Sequence, residues 1–151
     1  LDLPGCGDSS GEAGDCSLRE YTSGLLTATN VLQERARRVP VVAIGLRRGA
    51  TVVAAVLADA PHLFCGTVLW DPDVQDLEPY MSMCSKDTTL LADSNGGLEQ
   101  ALALLPSDHV LRGFPVLENR GPPWNITESE ESVVVPGSLI AAIVGYGEDR
   151  W

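Results

Sequence analysis

An α/β fold with a parallel sheet is what the sequence predicts, on three observations. Residues 39–44 and Gly66–Trp70 are short apolar runs, rich in β-branched residues and without the alternation of a strand that has one face in water. They read as strands buried on both faces, the signature of a parallel sheet. Residues 50–58, dominated by Ala and Val and apolar nearly all round, suit a helix buried against such a sheet. The order strand, helix, strand is that of a right-handed βαβ unit. A length of 151 residues, 44% of them apolar, is enough for one domain with a real core.

The chain opens with Leu1-Asp2-Leu3, read as the tail of a strand whose beginning lies upstream. It runs into the turn-rich loop Pro4-Gly5-Cys6-Gly7-Asp8-Ser9-Ser10-Gly11. Over residues 17–37, Leu18, Tyr21, Leu25, Thr29 and Leu32 recur at three- and four-residue steps, which predicts an amphipathic helix. Ser17 and Glu20 have capping-box spacing at its start. Beyond Asp71-Pro72 the character changes. Residues 73–119 read as loops and modest helices, clearest at 98–105, with no strand. Residues 120–132 form a Pro/Glu/Ser stretch of linker character. Pro136 then opens a last apolar helix over 137–146, with Leu139, Ile140, Ile143 and Val144 on one face. The expected division is a core at 1–72, a helical and loop region at 73–132, and a C-terminal helix packing on the core at 133–151. A sheet of two or three strands leaves an edge unpaired, so self-association through that edge is expected.

The net charge of −11 argues against a nucleic-acid partner, because phosphate backbones are bound by basic stripes. Arg35, Arg37 and Arg38 read as the solvated end of the first helix, where cations suit the dipole. No apolar run reaches the roughly 18 residues that span a bilayer. No charged segment followed by an apolar one marks a signal peptide, so a cytoplasmic location is expected. Cys6, Cys16, Cys65 and Cys84 show no CxxC spacing and have no histidine at ligand spacing. They read as free thiols, with no metal and no cofactor implied. Asn125-Ile126-Thr127 is a formal glycosylation sequon, taken as chance in the absence of a secretory signal.

The segment with chemical content is Gly45-Leu46-Arg47-Arg48-Gly49, between the first buried strand and the buried helix. Small residues two positions either side of a central residue allow the sharp strand-to-helix reversal of a nucleophile elbow. That turn lifts its central side chain, here Arg47, above the sheet edge. The Arg48 amide would face an oxyanion there, and the helix N-terminus adds positive potential.

Asp2-Leu3-Pro4-Gly5-Cys6-Gly7-Asp8-Ser9, then Gly45-Leu46-Arg47-Arg48-Gly49-Ala50, then Val68-Leu69-Trp70-Asp71-Pro72 stand in the order seen in α/β-hydrolases. Over roughly residues 1–120 the sequence resembles the exosortase A system-associated hydrolases, and Leu111-Arg112-Gly113-Phe114-Pro115 looks like a segment of their lid region. The resemblance implies a three-layer α/β-hydrolase-like core with a helical lid. It also implies ester or acyl hydrolase ancestry, a place accessory to exopolysaccharide export, and an acid and a histidine following later strands. The family's second oxyanion donor is expected upstream of Leu1.

The elbow residue departs from that pattern. A guanidinium stays protonated and has no lone pair to attack a carbonyl, so Arg47 cannot serve as a nucleophile. Arg47 is then either an anion-binding residue at a helix N-terminus, or a structural partner of an acid such as Asp71 or Asp8. Asp71 either faces a ligand at the carboxyl edge of the sheet or simply begins a turn with Pro72, which is the favoured reading. Ser9 reads as a turn residue. His62 reads as a surface or capping residue, and His109 as a lid-region histidine that is the one candidate catalytic base. Three functions follow: a hydrolase relative whose catalysis is in doubt, a non-catalytic module taking a small anionic or ester-bearing ligand at Arg47, and a dinucleotide-binding fragment with Asp71 at the next strand end.

Overall fold

Ser17 starts the first helix as its spacing with Glu20 predicts. In a computed structural model that describes residues 1–12, 14–36, 40–84, 87–92 and 97–118, helix α1 spans Leu18–Arg35. The Glu20 amide donates to Ser17 Oγ (3.4 Å), while the Ser17 amide and hydroxyl both donate to Glu20 Oε2 (2.7 Å each). These bonds hold the Glu20 carboxyl below the ordinary glutamate value of 4.5, the Ser17 hydroxyl first and its amide second. A lowered value places the stabilisation above the ordinary value and removes it as pH falls through the folded one. Ser17→Ala should therefore cost about 1 kcal/mol at pH 7 in urea unfolding. The penalty should shrink as pH falls below 4.5 and through the lowered value of the parent, where Glu20 loses its charge with and without Ser17.

The sheet follows. Strand β1 is Val42–Leu46, helix α2 Arg48–Asp59, strand β2 Gly66–Trp70, helix α3 Val74–Met81, strand β3 Thr88–Ala92 and helix α4 Gly97–Leu104. A 3-10 turn, Val110–Gly113, then leads to strand β4, Val116–Glu118. The four strands are all parallel and lie side by side in chain order. The chain is thus of the α/β class, with the expected βαβ unit formed by β1, α2 and β2. Among the described residues no helix is long and apolar enough to cross a membrane.

Three expectations are corrected. Residues 73–119 contain two strands, β3 and β4, where none was expected. β3 carries two threonines, Thr88 and Thr89, that are buried in the sheet, so its polarity disguised a central strand. β4 has three residues and follows Pro115, whose lack of an N–H is tolerated at a strand start. Leu1-Asp2-Leu3 is not in a strand; it opens a loop whose turns close through Gly5 N to Ser10 O and Cys6 N to Leu3 O. β1 is not buried on both faces: Ile44 is 43% and Leu46 54% exposed, because β1 is an outer strand of the described sheet. The helix expected at 137–146 lies outside the described residues.

The pleat sends alternate residues to opposite faces. On one face Ala43, Leu69, Leu90 and Ala92 meet α2, α3 and α4 in a single core with Leu57, Leu77 and Leu111. Each fully buried leucine there contributes about 1.5–3 kcal/mol. Residues from both sides of Asp71-Pro72 build this core, so the described part of 73–118 is continuous with it. On the other face Val68, Trp70 and Leu91 cluster with Leu117, and no described helix contributes to that cluster.

Cys84, following α3, packs against the main core, and burial pushes its thiol up to about 11. The protonated form is favoured in the fold, so its contribution is intact below the ordinary value of 9.0 and is lost as pH rises toward 11. At pH 8.5 iodoacetamide should alkylate Cys84 roughly a hundredfold more slowly in the native chain than in urea, by peptide mass spectrometry. All four cysteines are free thiols.

Candidate functional site

The register of the sheet assembles the site. Leu46 pairs with Trp70, and Trp70 with Leu91, so adjacent strands end at the same level. The residues that follow, Arg47 and Asp71, leave the sheet side by side. The Arg47 amide donates to Trp70 O (2.9 Å) and the Asp71 amide to Leu91 O (2.8 Å), extending each ladder one step past the strand. Both residues then turn sharply. Arg47 has φ 51° and ψ −114°, Asp71 has φ 43°, and these are the only non-glycine residues with positive φ among those described. An arginine in that region stores about 1–3 kcal/mol of strain, and an aspartate less, because short polar side chains tolerate it.

The tightness of the strand-to-helix turn is explicit at Gly45. A Cβ there would stand 2.5 Å from Gly49 O and 2.6 Å from Ala50 Cα, both backbone atoms that cannot move aside. Gly49 differs: a Cβ there meets nothing within 4 Å. The reversal therefore requires a small residue before the central position and places no such demand after it, because the α2 backbone folds back over Gly45.

Arg47 is the N-cap of α2, yet its side chain makes no capping bond. The amides of Arg48 and Gly49 begin the helix and have no acceptor within it. Arg47 Nε lies 3.7 Å from Asp71 Oδ2, and the Arg47 side chain remains 75% exposed. A pair that open contributes about 0–1 kcal/mol and leaves the guanidinium accessible. Asp71, not Asp8, is thus the acid beside Arg47; the Asp8 amide instead donates to Asp2 Oδ2 (3.1 Å). Asp71 lies in the bend that follows β2 and lines the cleft.

That cleft, of about 460 Å³, opens at the carboxyl ends of β1 and β2, where ligands bind in open parallel sheets. Its lining joins Arg47, Arg48 and Thr51 at the start of α2 to Asp71, Asp73 and Asp76 at the start of α3. Its volume lies within the ~300–1,000 Å³ of small-molecule sites. No protein-family model, curated protein or solved structure matches this chain. The site must be read from its own chemistry.

His109 does not line the cleft. It caps the 3-10 turn: the Leu111 amide donates to its Nδ1 (3.3 Å), which leaves the ring proton on Nε2, 3.4 Å from Glu78 Oε1. Both ring nitrogens are engaged in these local contacts. His62 is exposed in the turn after α2. Ser9 donates to Asp2 O (2.9 Å) and organises its loop, as its sequence context implies. Among the described residues no group of three or more His, Cys, Asp or Glu side chains is placed to hold a metal ion.

Sequence reasoning missed Thr51, Asp73 and Asp76. Thr51 is four residues beyond Arg47 and so lies on the same side of α2, a spacing visible in the sequence. Asp73 and Asp76 became site residues only when α3 formed, since Pro79 within it interrupts the helical pattern. Asp73 caps α3 by accepting from the Gln75 amide (3.0 Å).

Proposed function

We propose that this chain is a non-catalytic binding module on an α/β-hydrolase-like scaffold, and that its elbow receives an anionic group in place of performing nucleophilic attack. One observation carries the reading. Arg47 stands in a strained conformation at the centre of the strand-to-helix turn, at a helix N-terminus without a side-chain cap, with its side chain three-quarters exposed beside a cleft. A carboxylate or phosphate arriving there meets a fork of N–H donors and the positive end of α2. A hydrolytic cycle instead needs a lone pair on the central side chain, which arginine lacks.

The hydrolase ancestry rests on the elbow itself, on the Trp70-Asp71-Pro72 strand end beside it, and on the sequential parallel strands that follow. Isothermal titration of the 151-residue chain with inorganic phosphate at low ionic strength tests the binding role. Binding that weakens at least tenfold in Arg47→Gln and falls with added salt supports it. Turnover of a short-chain p-nitrophenyl ester, blocked by a serine-reactive phosphonate, would overturn it in favour of an enzyme.

A further inference from the structure

The sheet has two faces, and the described helices cover one of them. Consecutive parallel strands joined by right-handed crossovers send every connecting helix to the same side. α2, α3 and α4 accordingly all pack in the core built on Ala43, Leu69 and Leu90, and Leu25 and Leu26 of α1 join them there. The opposite face carries two cross-strand rows. One is Leu46, Trp70, Leu91 and Leu117; the other is Ile44, Val68 and Thr89.

Burial along these rows is uneven. Ile44 and Leu46 of β1 are exposed, whereas Val68 and Leu91 are fully buried and Trp70 and Thr89 nearly so. Side chains stand upright on a sheet, so neighbouring strands cannot close them off from above. Leu117 is the one described hydrophobic residue outside the cluster that packs against it, and it stands in the sheet itself. A layer therefore lies over β2 and β3 and stops short of β1. At a strand spacing of ~4.8 Å, that is the width of one α-helix, about 10 Å.

The burial arises within a single chain, so the layer is part of that chain. Outside the described residues lie 13, 37–39, 85–86, 93–96 and 119–151. The first four are too short to lay a helix across two strands. Within the last, residues 120–132 carry Pro122, Pro123, Glu128, Glu130 and Glu131, and unpaired carboxylates are costly to bury. Residues 133–146 carry no charge, and Leu139, Ile140, Ile143 and Val144 fall on one side of a helix over 137–146.

We propose that residues 137–146 dock as a helix on the Val68, Trp70 and Leu91 face, which makes that face the receiving surface for the chain's own C-terminal segment. Such a helix rises about 15 Å, against about 16 Å for a five-residue strand. Residues 119–136 can span up to about 60 Å, ample to return from the end of β4 and cross the sheet. The docked helix also bears on the cleft, because Trp70 supplies the carbonyl that receives the Arg47 amide.

Isoleucine methyl groups test this in the full chain, which has four: Ile44, Ile126, Ile140 and Ile143. In nuclear Overhauser spectra of the chain labelled at isoleucine methyls and at Val, Leu and Trp side chains, Ile140 and Ile143 are expected to show contacts with Val68, Trp70 or Leu91. Contacts from Ile126 in their place would put the 120–132 segment on the face and overturn the proposal. Contacts seen only between differently labelled chains would make the occupant a second copy, and overturn it equally. Ile140 and Ile143 without any contact to these three residues would overturn it outright. None of these outcomes bears on anion binding at Arg47, which is tested separately.

Discussion

Gly45→Ala should destabilise the fold by about 3 kcal/mol or more, the largest effect expected of a single methyl group anywhere in the described chain. The new Cβ would stand 2.5 Å from Gly49 O, 2.6 Å from Ala50 Cα and 2.7 Å from Ala50 N. None of these is the end of a flexible side chain. Relief requires α2 to move away from β1, and α2 carries the centre of the core, with Ala50, Val53, Ala54, Val56 and Leu57 all buried. Relief by local adjustment is therefore closed. Gly49→Ala is the matched control: its Cβ meets open space and it lies in the first turn of a helix, so the change should be neutral or slightly stabilising. Urea unfolding of the two variants, side by side, checks the contrast. Equal stability of both would mean that the strand-to-helix reversal is looser than 2.5 Å implies.

Arg47→Gly should raise stability while removing anion binding, and Arg47→Ala should remove binding without the gain. At φ 51° and ψ −114° an L-residue stores strain that glycine does not. About 1–3 kcal/mol of strain is released, against about 0.5–1 kcal/mol from the greater freedom of glycine in the unfolded chain. The lost contact with Asp71 is small because the pair is long and open. A net gain of about 1 kcal/mol follows, read as a melting temperature a few degrees above that of the parent. Alanine keeps the strain, so the difference between the two variants isolates the backbone term from the charge. Arg47→Gly melting at or below Arg47→Ala would show that the turn is not strained.

Legibility followed apolar content. β2 was readable at its observed bounds because Gly66–Trp70 opens on glycine, is mostly apolar and stops at Asp71-Pro72. α1 was readable because Ser17 and Glu20 announce its start and its period is helical. α2 was readable as a buried helix, and the structure extends it to Arg48–Asp59. β3 was not, because Thr88 and Thr89 occupy central-strand positions that a sequence reading assigns to a loop. β4 was not, because three residues carry no periodicity. α3 was hidden by Pro79, which an eight-residue helix tolerates. Each failure is a case where neighbours in space, and not neighbours in sequence, supply the stabilisation.

The same division runs through the site. The class of fold, a glycine-led turn between a strand and a buried helix, and an arginine in place of a nucleophile at its centre are all legible in the residues alone. Those depend on residue type and local spacing, which a sequence carries in full. Folding in three dimensions selects the acid beside Arg47, makes His109 a turn cap facing Glu78, and brings Asp73 and Asp76 on α3 to the cleft. It also decided that Gly45, and not Gly49, is the glycine the reversal demands. The reason is register: parallel pairing of Leu46 with Trp70 and Trp70 with Leu91 sets the residues after each strand side by side, and no local pattern encodes which residue of one strand lies opposite which residue of the next.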